Sequence, residues 1–519
     1  MPCGFIKRYL TSYMELSAST LKNIVPGKVI IPDEHLFELP EKVLQFGTGI
    51  LLRGLPDYFI DKANRMGIFN GRIVVVKTTS KSDASAFDKQ DCLYTLCVRG
   101  VEDDKKIEEN IINSSISRVL NAQHEWEQIL ECAHNQSLQV IISNTTEVGI
   151  ELVNDYIRHQ PPVSYPGKLL AFLFERFIAF NGSEKSGFVI VPTELIPENG
   201  EKLESIILEL AHLNGLDDSF IKWLQRCNFF CNSLVDRIVT GMPDNEIKNT
   251  IEKELGYTDA LINICEVYRL WAIEGNDYIK NILSFAAADE GVIIAPDIDL
   301  YRELKLRLLN GTHTLSCGIA FLAGLNTVRQ AMGDKIMEKY IADLMQYEIG
   351  PSIPYEIDSD TVQTFIRKVL DRFRNPHINH YWKTITLNYS SKMKLRCIPL
   401  LVNYYKKNDS VPELFALGFA SYIYYMKAVK QNGNEFFGEF NGEFYLIEDN
   451  MAETFYTLWQ NFPVEKLAEE VLKNTDLREE DMSILQGFQQ SVIDKLNSII
   501  DKGMKATLEN IIQINQHGL

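Results

Sequence analysis

Nowhere in this chain do apolar residues run unbroken for the roughly 18 positions that a membrane-spanning helix needs, so no span is expected. Positive charge is in deficit: 52 Lys and Arg stand against 70 Asp and Glu, a formal net charge of −18. An acidic surface repels nucleic acid and anionic membrane alike, which disfavours both as partners, though not a locally basic pocket for a small anion. Cysteine is sparse and irregularly spaced, nine residues in 519. That argues against a disulfide framework and for reduced thiols in a cytoplasmic protein. Cys227 and Cys231 form C-x3-C, but no second pair completes a zinc site. The first residues are broken by Lys7, Arg8, Ser12 and Glu15 and show no h-region or cleavage pattern. Internal repeats and low-complexity tracts are missing as well. What remains is an ordinary globular composition, 45% hydrophobic and 24% charged, in a length that outgrows one core and predicts two domains.

The first of these reads as α/β. Val43 to Phe46 is a short apolar run ending in Gly47 and Gly49, followed by an apolar helical segment through Ile60. Strand, glycine turn and helix form a pyrophosphate cradle, because glycine lets the backbone approach and the helix start presents free N–H groups. The third glycine of the usual fingerprint is replaced by Leu52. A second strand, Arg72 to Val76, ends in Lys77-Thr78-Thr79-Ser80-Lys81, and the first acid is Asp83. An acid at the strand end favours NAD; Lys77 and Lys81 leave NADP open. Leu93–Val98 reads as a strand, Val101–Asn110 as a turn plus exposed segment, and Val119–Cys132 as an amphipathic helix. Leu138–Ile142 is a buried strand that ends in Ser143-Asn144-Thr145-Thr146-Glu147. Polar residues there line the ligand crevice of a parallel sheet, and Thr145 or Thr146 can equally cap a following helix. Tyr165–Phe180 is a helix, and Gly187–Leu203 a strand, polar turn and helix.

From about Leu300 helical periodicity dominates. We place the boundary near Phe285–Pro296, giving a dinucleotide-binding domain at 1–290 and a mainly α-helical domain at 291–519. Leu304–Cys317, L-K-L-R-L-L-N-G-T-H-T-L-S-C, carries Lys305, Asn310 and His313 inside an apolar helical pattern. At about 100° per residue, His313 stands about 80° from Lys305 and Asn310 about 140°, so the three can share one side. A buried Lys there has its charged form disfavoured and can exchange a proton. The same pattern is met if Lys305 and Arg307 snorkel to solvent and Asn310-Gly311 is a kink. Farther on, Arg372, Arg374, Asn375, Lys392 and Arg396 make a basic segment in an acidic chain, either a solvated face or a pocket for a carboxylate. His377 and His380 have no acid or thiol to complete a metal set; capping or ion-pair roles are expected. Asn432–Asn450 breaks the periodicity as a hairpin or loop.

K-x4-N-x2-H in "KLRLLNGTH" resembles the active-site motif of the mannitol dehydrogenase family, the polyol-specific long-chain dehydrogenases. Other motifs follow in order: G-x-G-x3-R at Gly47, Gly49 and Arg53; N-S-x-V-D-R-I at Asn232–Ile238; W-x-I-E at Trp271–Glu274; and R-F-x-N-P followed by S-S-K at Arg372–Lys392. The resemblance runs from about Leu39 to about Leu400, and more weakly to the end. Where the family carries an Asp-Asn pair, this chain has Glu194-Leu195, while Pro197, Asn199 and Gly200 keep their places. The resemblance implies a metal-independent, NAD-dependent oxidoreductase with Lys305 as acid/base, Asn310 as oxyanion donor and His313 positioning the substrate or tuning Lys305. It implies cofactor contacts at Gly47, Gly49, Arg53, Asn144 and Thr145. Substrate contacts are expected at Asn232, Asp236 and Glu194, with Arg374 and Lys392 serving a carboxylate, and Trp271 and Glu274 behind them. Through the Glu194-Leu195 variant the resemblance implies a sugar acid, D-tagaturonate reduced to D-altronate, for whose carboxylate the basic segment offers cations. D-fructuronate or a neutral ketose are the alternatives, and a non-catalytic nucleotide-binding regulator a distant one.

Overall fold

The computed structural model describes residues 13–78, 85–145, 149–475 and 481–516. It divides into two compact units, Met1–Arg99 with Lys106–Ile298, and Gly100–Lys105 with Asp299–Leu519.

The first unit is built on six parallel strands. These are β1 (Glu41–Phe46), β2 (Arg72–Lys77), β3 (Ile116–Asn121), β4 (Val140–Ser143), β5 (Val189–Pro192) and β6 (Phe229–Phe230). Their order is β3-β2-β1-β4-β5-β6, that of a doubly wound dinucleotide-binding sheet. Both faces are covered, so β2, β4 and β5 read as near-continuous apolar runs. Val43, Ile73, Val75, Val140 and Ile142 enter one core, and Leu44, Phe46, Val74, Val76 and Ile141 the other. Helices α1 (Ile50–Gly54) and α2 (Pro56–Arg65) follow β1, broken at Leu55 because Pro56 cannot continue the turn. Helices α3 (Tyr165–Ala179) and α4 (Asn199–Leu213) lie on either side of β5 in the chain.

One local expectation fails in part here. Val119–Cys132 is helical only in its second half: Val119–Asn121 closes β3, and the helix runs from Trp126 to Glu131 and on into a 3-10 turn at Cys132. Ile116–Asn121 pairs with β2 along its length, and that pairing overrides the local helical pattern. Val101–Asn110 holds the expected turn and a largely exposed segment, and these belong to neighbouring strands, Tyr94–Glu102 and Lys105–Asn113, joined through Asp103 and Asp104 at φ 50° and 58°. Two consecutive left-handed residues make the tight hairpin turn.

The second unit holds one large core running from Leu304 to Ile512. Helix α5 (Asp299–Leu304) passes into a π-helical segment, Lys305–Gly311, and then α6 (Thr312–Leu322). Helix α7 (Ser359–Phe373) precedes two short helices, α8 (Trp382–Ile385) and α9 (Tyr389–Lys392). A second π segment, Met393–Cys397, leads into α10 (Ile398–Lys407), and α11 (Glu413–Tyr425) follows. Helices α6 and α11 approach closely at glycines: a Cβ on Gly418 would stand 2.8 Å from Leu315 O. The expected hairpin or loop in Asn432–Asn450 is part of a three-stranded antiparallel sheet.

Candidate active site

In the first unit the strand order reverses between β1 and β4, and a ligand of such a sheet binds at the carboxyl ends of those two strands. Gly47 follows β1 there, with φ +126°; a Cβ on it would meet Leu52 Cδ1 at 2.9 Å and Asn144 O at 3.2 Å. Only glycine fits without strain. A Cβ on Gly49 would meet nothing within 4 Å, so the backbone at this turn faces open space. Asn144 lies beside it, donating from its backbone N–H to Phe46 O at 3.2 Å and from Nδ2 to Thr193 O at 3.1 Å. Thr145 donates from N to Glu194 Oε1 at 2.8 Å, and Ser143 Oγ to Glu194 Oε2 at 3.2 Å. Thr146, Glu147 and Lys81 lie outside the described residues.

Several expected ligand-binding side chains are turned to other work. Glu194 is 3% exposed and ties the ends of β4 and β5 together; burial raises its pKa, against the Thr145 and Ser143 hydrogen bonds that lower it. Arg53, expected on the cofactor, points into the core. Its Nη1 donates to Leu261 O at 2.6 Å and its guanidinium lies 5.4 Å from the Tyr94 ring centre. Asn232 spends its whole amide on the fold. Its Oδ1 accepts from the N–H groups of Gly200 and Glu201 at 3.1 and 3.2 Å, and its Nδ2 donates to Glu201 and Glu274 at 3.1 and 3.0 Å. Trp271 is fully buried, stacked between Phe59 and Phe285. Asp236 ends the strand Ser233–Asp236 and is 8% exposed.

The second unit gathers Lys305, Asn310 and His313 on one continuous helical stretch. The π segment widens the turn through i→i+5 bonds, so the angles expected for a regular α-helix do not hold; such segments recur at functional sites. Lys305 and Asn310 are half-buried, so the full burial expected for Lys305 is absent. The Asn310 side-chain amide makes no hydrogen bond among the described residues, while its carbonyl accepts from Thr314 Oγ1 at 2.8 Å. Arg307 does not snorkel. It is 6% exposed, pairs with Glu303 at 2.9 Å and donates to the carbonyls of Leu395 and Arg396 at 2.7 and 3.0 Å, pinning one π segment to the other.

His313 is the deepest of the three. Its ring stacks on Phe373 at 4.3 Å and stands edge-on to His380 at 5.0 Å and Trp382 at 5.9 Å. Nε2 is buried without a hydrogen-bond partner among the described residues. Burial first, then His380, Arg372, Arg396 and Lys392, push its pKa well below the usual value, so the imidazole is neutral. Burial, Arg372 and Lys392 also lower His380, whose ring stands against that of His313. Its H-x2-H spacing inside the basic segment was the available signal. Lys392 Nζ donates to Ile385 O at 2.9 Å, and Arg396 Nη1 to Thr314 Oγ1 at 3.3 Å. Arg374, by contrast, is committed to three carboxylates: Glu338 at 2.9 Å, Asp104 at 3.3 Å and Asp371 at 3.4 Å. Among the described residues no three His, Cys, Asp or Glu side chains are grouped to hold a metal ion, and no helix is long and apolar enough to cross a membrane.

Comparison with known proteins matches the mannitol dehydrogenase Rossmann domain over residues 41–285 and the mannitol dehydrogenase C-terminal domain over 297–500. The chain belongs to the mannitol dehydrogenase family. Among curated relatives, altronate oxidoreductase of Bacillus subtilis (strain 168) is 38% identical over 92% of this chain and 96% of the relative. That of Halalkalibacterium halodurans is 34% identical over 93% and 94%. The fold is shared with mannitol 2-dehydrogenase of Pseudomonas fluorescens, solved with NAD and D-mannitol (TM-score 0.64, 22% identity, 96% of this chain and 100% of that one). It is shared also with a D-sorbitol dehydrogenase (TM-score 0.73, 19% identity, 95% and 100%). As a member of the mannitol dehydrogenase family the chain is an oxidoreductase that takes a nicotinamide dinucleotide. The open backbone at Gly49 and the side-chain-free turn at Gly47 fit that cofactor's pyrophosphate.

Proposed function

We propose that this chain is an NAD-dependent altronate oxidoreductase, reducing D-tagaturonate to D-altronate and catalysing the reverse oxidation without a metal. The observation that carries the reading is the positive field of Arg372, Lys392 and Arg396 around His313, in the unit that also holds Lys305 and Asn310. Such a field in a chain of net charge −18 selects an anionic substrate over a neutral polyol. The altronate oxidoreductases at 38% and 34% identity support the same substrate class.

When bound, the nicotinamide supplies the hydride that reduces the keto carbon. The Lys305 ammonium protonates the oxygen as its charge develops, and in the oxidation the amine takes the hydroxyl proton. Asn310, with a side-chain amide uncommitted to any other described residue, donates to the same oxygen. Neutral His313 orients the substrate hydroxyls beside Asn310. Asp236 contributes a further hydroxyl contact, and Gly47, Gly49, Asn144 and Thr145 hold the cofactor. For NAD over NADP, the support is the family resemblance and the burial of Lys77, 5% exposed and so withdrawn from a 2′-phosphate.

The test is steady-state NADH oxidation with D-tagaturonate, D-fructuronate and D-fructose, repeated with NADPH and after exhaustive chelation. Tagaturonate should exceed fructose in kcat/KM by at least about tenfold, the value of one charge-assisted hydrogen bond. Equal use of the neutral ketose rejects the acid subsite; preference for fructuronate keeps the subsite and rejects the epimer.

A further inference from the structure

Pro399 stands inside an unbroken helical stretch. Helix α9, the second π segment and α10 follow one another without a gap from Tyr389 to Lys407. Proline has no N–H to give to the carbonyl four residues back, and its ring crowds that carbonyl. In this chain the carbonyl is that of Leu395. The helix widens just before the proline: Ile398 N–H reaches back to Met393 O, the i→i+5 bond of a π turn. A carbonyl freed in this way takes its partner from a side chain or from water.

The partner is Arg307, from the first π segment. Its Nη1 donates to Leu395 O at 2.7 Å and to Arg396 O at 3.0 Å. Its Nε donates to Glu303 Oε2 at 2.9 Å, and Nη2 to Glu303 Oε1 at 3.5 Å, which fixes the guanidinium plane from the other side. At 6% exposure Arg307 has these groups rather than bulk water for partners. Two weaker links run beside the clamp, Arg396 Nη1 to Thr314 Oγ1 at 3.3 Å and Cys397 Sγ to Gly311 O at 3.8 Å.

The two segments carry different parts of the site. Lys305 and Asn310 flank Arg307 on the first, and Leu308 and Leu309 seat that segment in the core. Arg396 lies on the second, and Lys392 immediately precedes it. We propose that Arg307 is a positioning residue for substrate selection: by holding the carbonyl that Pro399 frees and that of Arg396 itself, it fixes the cations Lys392 and Arg396 at one spacing from Lys305 and Asn310. That spacing sets the sugar acid whose carboxylate and keto group are met together. The inference rests on the acid subsite of the proposed function.

The experiment is steady-state NADH oxidation by the full-length protein, with D-fructose and the better of D-tagaturonate and D-fructuronate. The readout is the ratio of kcat/KM for the acid to that for fructose. Arg307→Gln removes the fork that holds both carbonyls. Pro399→Ala returns an N–H to Leu395 O, lets the π turn close toward an α-helix and so turns Arg396 out of register, with no charge lost. In both variants the ratio should fall by about tenfold or more, the value of one charge-assisted hydrogen bond. The loss should lie in the KM for the acid. An unchanged ratio in Arg307→Gln, whether both sugars fall in parallel or neither falls, overturns the proposal. Should that variant not fold, an unchanged ratio in Pro399→Ala does so. A wild type that shows no preference for either acid overturns the acid subsite together with this inference, whereas a wild-type preference that survives the substitutions overturns this inference alone.

Discussion

Replacing Arg396 by Met isolates the charge that the substrate assignment depends on. Arg396 sits in the π segment Met393–Cys397, half-buried, with burial lowering its pKa. Its side-chain hydrogen bond among the described residues is the long one to Thr314 Oγ1, 3.3 Å, and Thr314 keeps its own bond to Asn310 O at 2.8 Å without it. Met preserves the length of the aliphatic stem, so the helix packing survives and the charge alone is lost. A charge-assisted hydrogen bond to a carboxylate contributes about 1.5–3 kcal/mol, or about 10–200-fold in kcat/KM. D-Tagaturonate should lose that factor in steady-state NADH oxidation, while D-fructose, which has no carboxylate, should change by less than about twofold. A parallel fall for both sugars would make Arg396 a structural residue, and no fall for either would remove it from the subsite.

Three further outcomes are expected. Lys305→Ala should lower kcat by about 10²–10⁴-fold with the NADH Kd unchanged; near wild-type turnover would remove Lys305 from the mechanism. Gly47→Ala forces a side chain to φ +126° and against Asn144 O at 3.2 Å, a strain of about 1–3 kcal/mol, to be read as a lower thermal midpoint together with weaker NADH binding. His313 is held neutral in the fold by burial and its cationic neighbours, whereas the unfolded chain takes up a proton near the ordinary value of 6.5. Its contribution is therefore fully present above about pH 6.5 and is lost as pH falls below it, at up to about 1.4 kcal/mol per pH unit. His313→Gln should reduce the difference between urea midpoints at pH 5 and pH 7, and an unchanged difference would refute the assignment.

The architecture was legible where one period dominates. The short apolar runs of β1, β2, β4 and β5 announced the strands of an α/β sheet, and the glycines after β1 announced its cofactor turn. The misreadings fall where local and distant preferences conflict. Val119–Asn121 read as the start of an amphipathic helix, yet pairing with β2 makes it the end of a strand. The π segment at Lys305–Gly311 is anchored by Arg307 to carbonyls 88 and 89 residues away, and no local periodicity encodes that.

What the sequence determined by itself is the fold class, the position of the glycine turn, and the family to which Lys305, Asn310 and His313 belong, because each is written in residue order over short spans. Which polar side chains are tied into the fold was decided only by tertiary structure. Arg53 and Asn232 occupy motif positions, Glu194 replaces one and Arg374 lies in the basic segment, but their partners are Leu261, Glu274, Thr145 and Glu338. His380 stood in no motif, and packing brings it against His313. A buried polar group must satisfy its hydrogen bonds with whatever the chain brings alongside it, and those neighbours are set by long-range packing rather than by the order of residues.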